Sequence, residues 1–99
     1  MGALALILLL GAAARDPGFN SLMDAAVARM HAAMHVQLSG NPDRDFARMM
    51  IPHHQGAIDM SLVELRYGKD ERLRRLAQEI TVEQQQEIAV MQQALCKQQ

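Results

Sequence analysis

A short stretch between residues 45 and 60 contains the side chains best suited to chemistry in this chain. Its possible metal donors are three methionines and two adjacent histidines, namely Met49, Met50, His53, His54 and Met60. Thioethers and imidazoles are ligands for soft or borderline metal ions such as copper. The stretch therefore suggests a metal site, and its expected occupant is a soft ion.

The spacing of these five donors predicts a single helix that carries all of them on one side. At about 100° of rotation per residue, they fall within an arc of roughly 140°. Phe46 and Ala57 share this arc, so this side of the helix should face the protein interior. A metal site on that side would be partly shielded from water.

A second group of possible donors lies earlier in the chain. Met30 and Met34 are four residues apart, as are His31 and His35, which places each pair on one side of a helix. Any one of these methionines is better explained by core packing, and a single histidine by solvation. However, all four histidines and six of the seven methionines after Met1 lie between residues 23 and 60. Because independent packing choices would not segregate in this way, we treat these four residues as further candidate ligands.

Three helices are expected to position the donors, and no strand pattern competes with them. The predicted helices span residues 21–40, 42–67 and about 70–97. Short connections between them predict an all-α, antiparallel bundle of three helices, which gains four-helix character if the N-terminal segment or a second subunit contributes a helix. Pro52 predicts a kink beside the histidines. Gln84, on the core stripe of the third helix, is a candidate to orient a ligand histidine, with a plain interhelical hydrogen bond as the alternative.

The N-terminal segment is an uncharged apolar run that ends in Ala12-Ala13-Ala14. It is shorter than the about 20 residues that a membrane-spanning helix needs, and its small residues fit a signal-peptide cleavage site. We therefore expect a signal peptide over residues 1–14, a linker over 15–20 and a helical metal-binding domain over 21–97. A short core helix or a membrane anchor is the alternative for the apolar run.

Composition and motifs argue against several other functions. Ten Lys and Arg balance eleven Asp and Glu without clustering, so nucleic-acid binding is not expected. A single cysteine excludes an intrachain disulfide. No Glu stands three residues before a His, as in ferritin-type di-iron centres, and no His-Glu-x-x-His motif indicates a zinc protease. With no convincing nucleophile and base in the sequence, we expect a non-enzymatic protein.

The double-histidine segment resembles the signature of a known family. Asp45, Phe46, a methionine, the two histidines, Ala57 and Met60 look like the D-x-x-F-x-x-x-M-x-x-H-H-x-x-A-x-x-M pattern of the domain-of-unknown-function family numbered 305, which includes CopM-type copper-binding proteins. The resemblance covers about residues 21–95. It implies a ferritin-like helical bundle, export across the inner membrane, and copper or silver binding in periplasmic metal resistance.

These observations lead to one main hypothesis and one alternative. The main hypothesis is an exported protein that buffers or carries Cu(I), with Ag(I) as a second soft ion, in the bacterial periplasm, where thioethers remain competent ligands. A copper efflux or chaperone protein is an expected partner, and the apolar face left by three helices predicts a homodimer. The alternative is a structural helical module whose methionine-rich face binds a partner helix without metal.

Overall fold

Three α-helices make up most of the part of the chain that the computed structural model describes, residues 15–97. They are α1 (Phe19–Met34), α2 (Pro42–Tyr67) and α3 (Glu71–Lys97). Between residues 15 and 97 there is no strand, so the all-α prediction is confirmed and a helical bundle fits. The predicted signal peptide over residues 1–14 lies outside the described residues.

α2 is the central helix of this arrangement. α1 and α3 each pack against α2, and no Cα atom of α1 lies within 8 Å of a Cα atom of α3. Buried Ala26 marks the contact face of α1, and buried Ala77 and Met91 mark that of α3. α2 therefore has two occupied faces, one against α1 and one against α3, and candidate donors lie at both contacts.

None of the three helices has the length and apolar character needed to cross a membrane.

Gly56 allows α1 to approach α2 closely. A Cβ atom at this position would lie 2.7 Å from Cγ and 2.9 Å from Cβ of Met30, and it would also collide with the sulfur. These separations are too short for real side-chain contacts, so only glycine fits beneath Met30. The thioether of Met30 is consequently packed against the backbone of α2.

The N-terminal caps of α2 and α3 lie where the sequence predicts helix starts. Asn41 Oδ1 accepts a hydrogen bond of 3.2 Å from the N–H of Arg44. Asp70 Oδ1 accepts bonds of 2.9 and 3.1 Å from the N–H groups of Arg72 and Leu73. The first N–H groups of a helix have no partner within it, and these side chains supply one. The predicted extents of both helices are confirmed.

α1 differs from its prediction at both ends. It begins at Phe19 rather than Ser21, follows Gly18 in a positive-φ conformation, and has no side-chain cap. It ends at Met34, well before the predicted end at Gly40. The predicted end of α1 is occupied instead by a segment whose N–H groups at Ser39 and Gly40 are bonded to a carboxylate of α2.

That carboxylate belongs to Asp45, which is buried near the start of α2. It accepts two bonds of 3.0 Å from the N–H of Ser39, one of 2.7 Å from the Ser39 hydroxyl, and one of 3.2 Å from the N–H of Gly40. N–H groups that donate to Asp45 cannot also donate to carbonyls four residues earlier, so α1 does not continue through them. The Ser39 hydroxyl, followed by its N–H, holds the pKa of Asp45 below the ordinary value of 3.8.

We expect Asp45→Asn to lower the melting temperature at pH 7, because the amide accepts more weakly and turns an NH₂ group toward N–H donors. The depressed pKa stabilises the fold above the unfolded-state value near 4, and this contribution is lost as pH falls through the folded-state pKa. The difference in melting temperature between parent and variant should therefore shrink at about pH 3. Thermal melts followed by circular dichroism measure it, with exposed Asp43→Asn as the matched control. A difference that persists unchanged in acid would contradict the anchoring role of the Asp45 carboxylate.

Candidate metal centre

A cavity of about 420 Å³ lies between α2 and α3. It is lined by three residues of α2 and three of α3: Phe46, Met50, His54, Glu87, Val90 and Met91. Two thioethers, one imidazole and one carboxylate thus share a single cavity. Phe46 and Val90 are 61% and 65% exposed, so the cavity opens to solvent between apolar side chains.

The imidazole of His54 joins the two helices across this cavity. Its side chain is only 12% exposed, and its Nε2 lies 2.5 Å from Oε2 of Glu87, which is 57% exposed. Its Nδ1 is buried and has no hydrogen-bond partner among the described residues. A buried polar atom without a partner costs about 1–3 kcal/mol. His54 therefore has one ring nitrogen bonded to α3 and one that is buried without a partner among the described residues.

Two possible donors of this cavity were not assigned to the site from the sequence. Met91 is buried on α3, where it continues the apolar stripe of the helix and looks like a core residue. Glu87 makes a hydrogen bond to His54, whereas the sequence predicted this orienting role for Gln84, about one turn earlier on α3. The available signal was that Met91 is the only methionine of α3. Nothing in the sequence indicates which turn of α3 lies opposite His54.

The other donors of α2 do not line this cavity. His53 is exposed, and its ring centroid is 6.0 Å from that of His54. Met60 lines a separate cavity with Leu73, Leu76 and Ile80 among its neighbours. Met49 is half-buried and does not line the cavity of His54. Met50, His54 and Met60 thus all face α3, but Met60 lies in a different cavity from Met50 and His54.

The candidate donors of α1 lie on the other contact of α2. Met30 packs on Gly56, and half-buried Met34 is the last residue of α1. His31 is exposed on α1, and His35 is exposed just after the helix ends. Only His31 lies within α1, since His35 is the C-cap residue that follows it, and their role as a pair of ligands stays a prediction. No α1 residue lines the cavity between α2 and α3.

The donors in the cavity differ in chemical softness. Between residues 15 and 97, no three His, Cys, Asp or Glu side chains lie close enough together to hold a metal ion. In the cavity the only such pair is His54 and Glu87, and the additional donors are the sulfurs of Met50 and Met91. Sulfur ligands favour soft ions, whereas a carboxylate favours hard ones.

The fold and the cavity define an all-helical protein with thioether and imidazole donors between two helices. The model of the family described as Domain of unknown function (DUF305) matches residues 12–95. This match covers most of the chain, and the protein belongs to that family. The family resemblance of the double-histidine segment is thereby confirmed. No curated protein matches the chain.

Proposed function

We propose that the protein binds Cu(I), and Ag(I) as a chemically similar ion, in the cavity between α2 and α3. The observation that carries the proposal is the shared cavity of Met50, His54 and Met91, together with the lack of a hydrogen-bond partner for Nδ1 of His54 among residues 15–97. Two thioethers and an imidazole suit a soft monovalent ion. The protein then buffers or carries copper and does not act as an enzyme.

The burial of the donors supports a site that is both protected and accessible. Met91 is buried and His54 nearly so, which limits competition from water for a bound ion. The cavity opens to solvent between exposed Phe46 and Val90. An ion held there can be passed to a copper efflux or chaperone partner without unfolding of the helices.

The cellular setting of this proposal follows from the family resemblance. A CopM-type member, exported by an N-terminal signal peptide, acts in the periplasm in metal homeostasis or resistance. Methionine ligands suit that compartment because they bind soft ions without a thiol that oxidation would remove. The thioether content of the cavity supports this proposal.

Self-association belongs to the same proposal. Several large apolar side chains of α2 and α3 are exposed: Phe46, Leu62, Leu73, Leu76, Val82 and Val90. A homodimer would cover part of this surface, and a helix from the second copy would complete an antiparallel, ferritin-like bundle of four. The same exposed residues support the alternative function, a structural module that associates through its helices and binds no metal.

Metal titration of the metal-free protein tests the proposed function. We expect Cu(I) to be taken from a chromophoric chelator and Ag(I) to bind with measurable heat, both more tightly than Zn(II). This order follows from the preference of thioethers for soft ions. Light scattering on the same samples reports self-association. A folded, self-associating protein that leaves the chelator complex intact would contradict the metal function and support the structural module.

A further inference from the structure

The two ring nitrogens of His54 have different surroundings. Nε2 lies 2.5 Å from Oε2 of Glu87, on the neighbouring helix. Nδ1 is buried, and within residues 15–97 no donor or acceptor reaches it. The ring is therefore held through one nitrogen only, and His54 lines the same cavity as Met50 and Met91.

The hydrogen bond to Glu87 determines where the proton of the ring lies. An ionised carboxylate only accepts hydrogen bonds, so Nε2 must donate. In the neutral imidazole Nδ1 then carries the lone pair. A metal ion bound to Nδ1 would give the remaining nitrogen a partner.

We propose that Glu87 is a positioning residue that directs metal binding to Nδ1 of His54, an inference that rests on the proposed metal function. A carboxylate bonded to the distal nitrogen fixes the ring orientation and makes the ligand nitrogen more basic. Glu87 is not itself the preferred ligand, because its hard oxygen is bonded to Nε2 and its side chain is more than half exposed.

The sequence spacing on the two helices fits this role. Met50 precedes His54 by four residues on α2, and Met91 follows Glu87 by four residues on α3. Side chains four residues apart share one side of a helix. Each helix thus supplies one sulfur and one member of the His–Glu pair to the same cavity, so the pair connects the helices beside the sulfurs.

Nitrogen NMR on ¹⁵N-labelled protein tests the proposal directly, with Ag(I) as a diamagnetic probe. In the metal-free protein at about pH 7.5, we expect Nε2 of His54 to carry the proton and Nδ1 to show the shift of an unprotonated nitrogen. Addition of Ag(I) should move the Nδ1 resonance and split it by coupling to silver. The spectrum of His54→Ala assigns the signals. A proton on Nδ1, a doubly protonated ring, or silver coupling at Nε2 would each overturn the proposal.

Variants of Glu87 test the positioning effect itself. Glu87→Leu should weaken Ag(I) binding about 10–100-fold, the usual effect of removing such a partner, and should let the proton distribute over both ring nitrogens. Glu87→Gln retains an acceptor for Nε2, so it should keep the Nδ1 lone pair and lose less affinity. Circular dichroism confirms that each variant is folded.

A matched control lies one turn earlier on α3. Exposed Glu83 lines a surface depression with Gln78, Glu79 and Val82, away from His54, so Glu83→Leu should leave the affinity and the tautomer unchanged. If Glu87→Leu also leaves both unchanged, the positioning role is wrong. If the parent protein binds no Ag(I), the proposed function fails, whereas the protonation of the metal-free ring still reports whether Glu87 selects the tautomer.

Discussion

Replacing Met50 and Met91 together by leucine should weaken Cu(I) binding by at least about 100-fold, equivalent to about 2.8 kcal/mol. Both sulfurs line the cavity of His54, and leucine preserves their volume and apolar character without offering a soft donor. Each such exchange usually costs less than about 1.5 kcal/mol of stability, so the variant should remain folded. Competition with a chromophoric Cu(I) chelator measures the affinity.

The matched control for this variant uses the two methionines of α2 that lie outside the cavity. Met49→Leu and Met60→Leu together make the same chemical change at two positions of α2, and Cu(I) affinity should stay close to that of the parent. Residual Zn(II) binding should survive in both double variants, because imidazole and carboxylate remain. Equal losses of Cu(I) affinity in the two double variants would show that the cavity between α2 and α3 is not the binding site.

Alanine variants of the two adjacent histidines should differ strongly in their affinity for metal ions. His54→Ala should lower the affinity for Cu(I), Ag(I) and Zn(II) alike, by at least about 100-fold for Cu(I), because it removes the one nitrogen donor in the cavity. His53 is exposed and lines no part of that cavity, so His53→Ala should have a small effect. Calorimetric titration with Ag(I) and Zn(II) compares the two variants.

This comparison also separates two interpretations of the double histidine. If both residues bind one ion together, the two variants should lose similar amounts of affinity. If His54 alone belongs to the cavity, the loss should be confined to His54→Ala. A larger effect of His53→Ala would place the metal on the exposed side of α2 and would contradict the assignment of Met91 and Glu87 to the site.

Most of the helical structure could be predicted because its signals are local. The apolar periodicity of α2 and α3 follows from the 3.6-residue repeat, and the caps at Asn41 and Asp70 act on N–H groups within three residues of themselves. The family resemblance was also local, since it depends on one continuous segment of α2. The predicted end of α1 at Gly40 was wrong for the same reason. Asp45 of the following helix accepts hydrogen bonds from the N–H groups of Ser39 and Gly40, which a helix reaching Gly40 would need.

The candidate site was predicted only in part because ligands are selected across helices. The sequence identified the donor-rich side of α2, yet a helical projection cannot show which turn of α3 lies opposite each turn of α2. Packing decided that Met50 and His54 meet Glu87 and Met91, whereas Met60 meets leucines and Met30 meets Gly56. The sequence pattern of a buried methionine on an apolar stripe is the same whether the side chain fills a core or lies near an imidazole. The sequence determines which donor types are present and on which side of each helix they lie. The packing of the helices determines which of these donors lie together in one cavity.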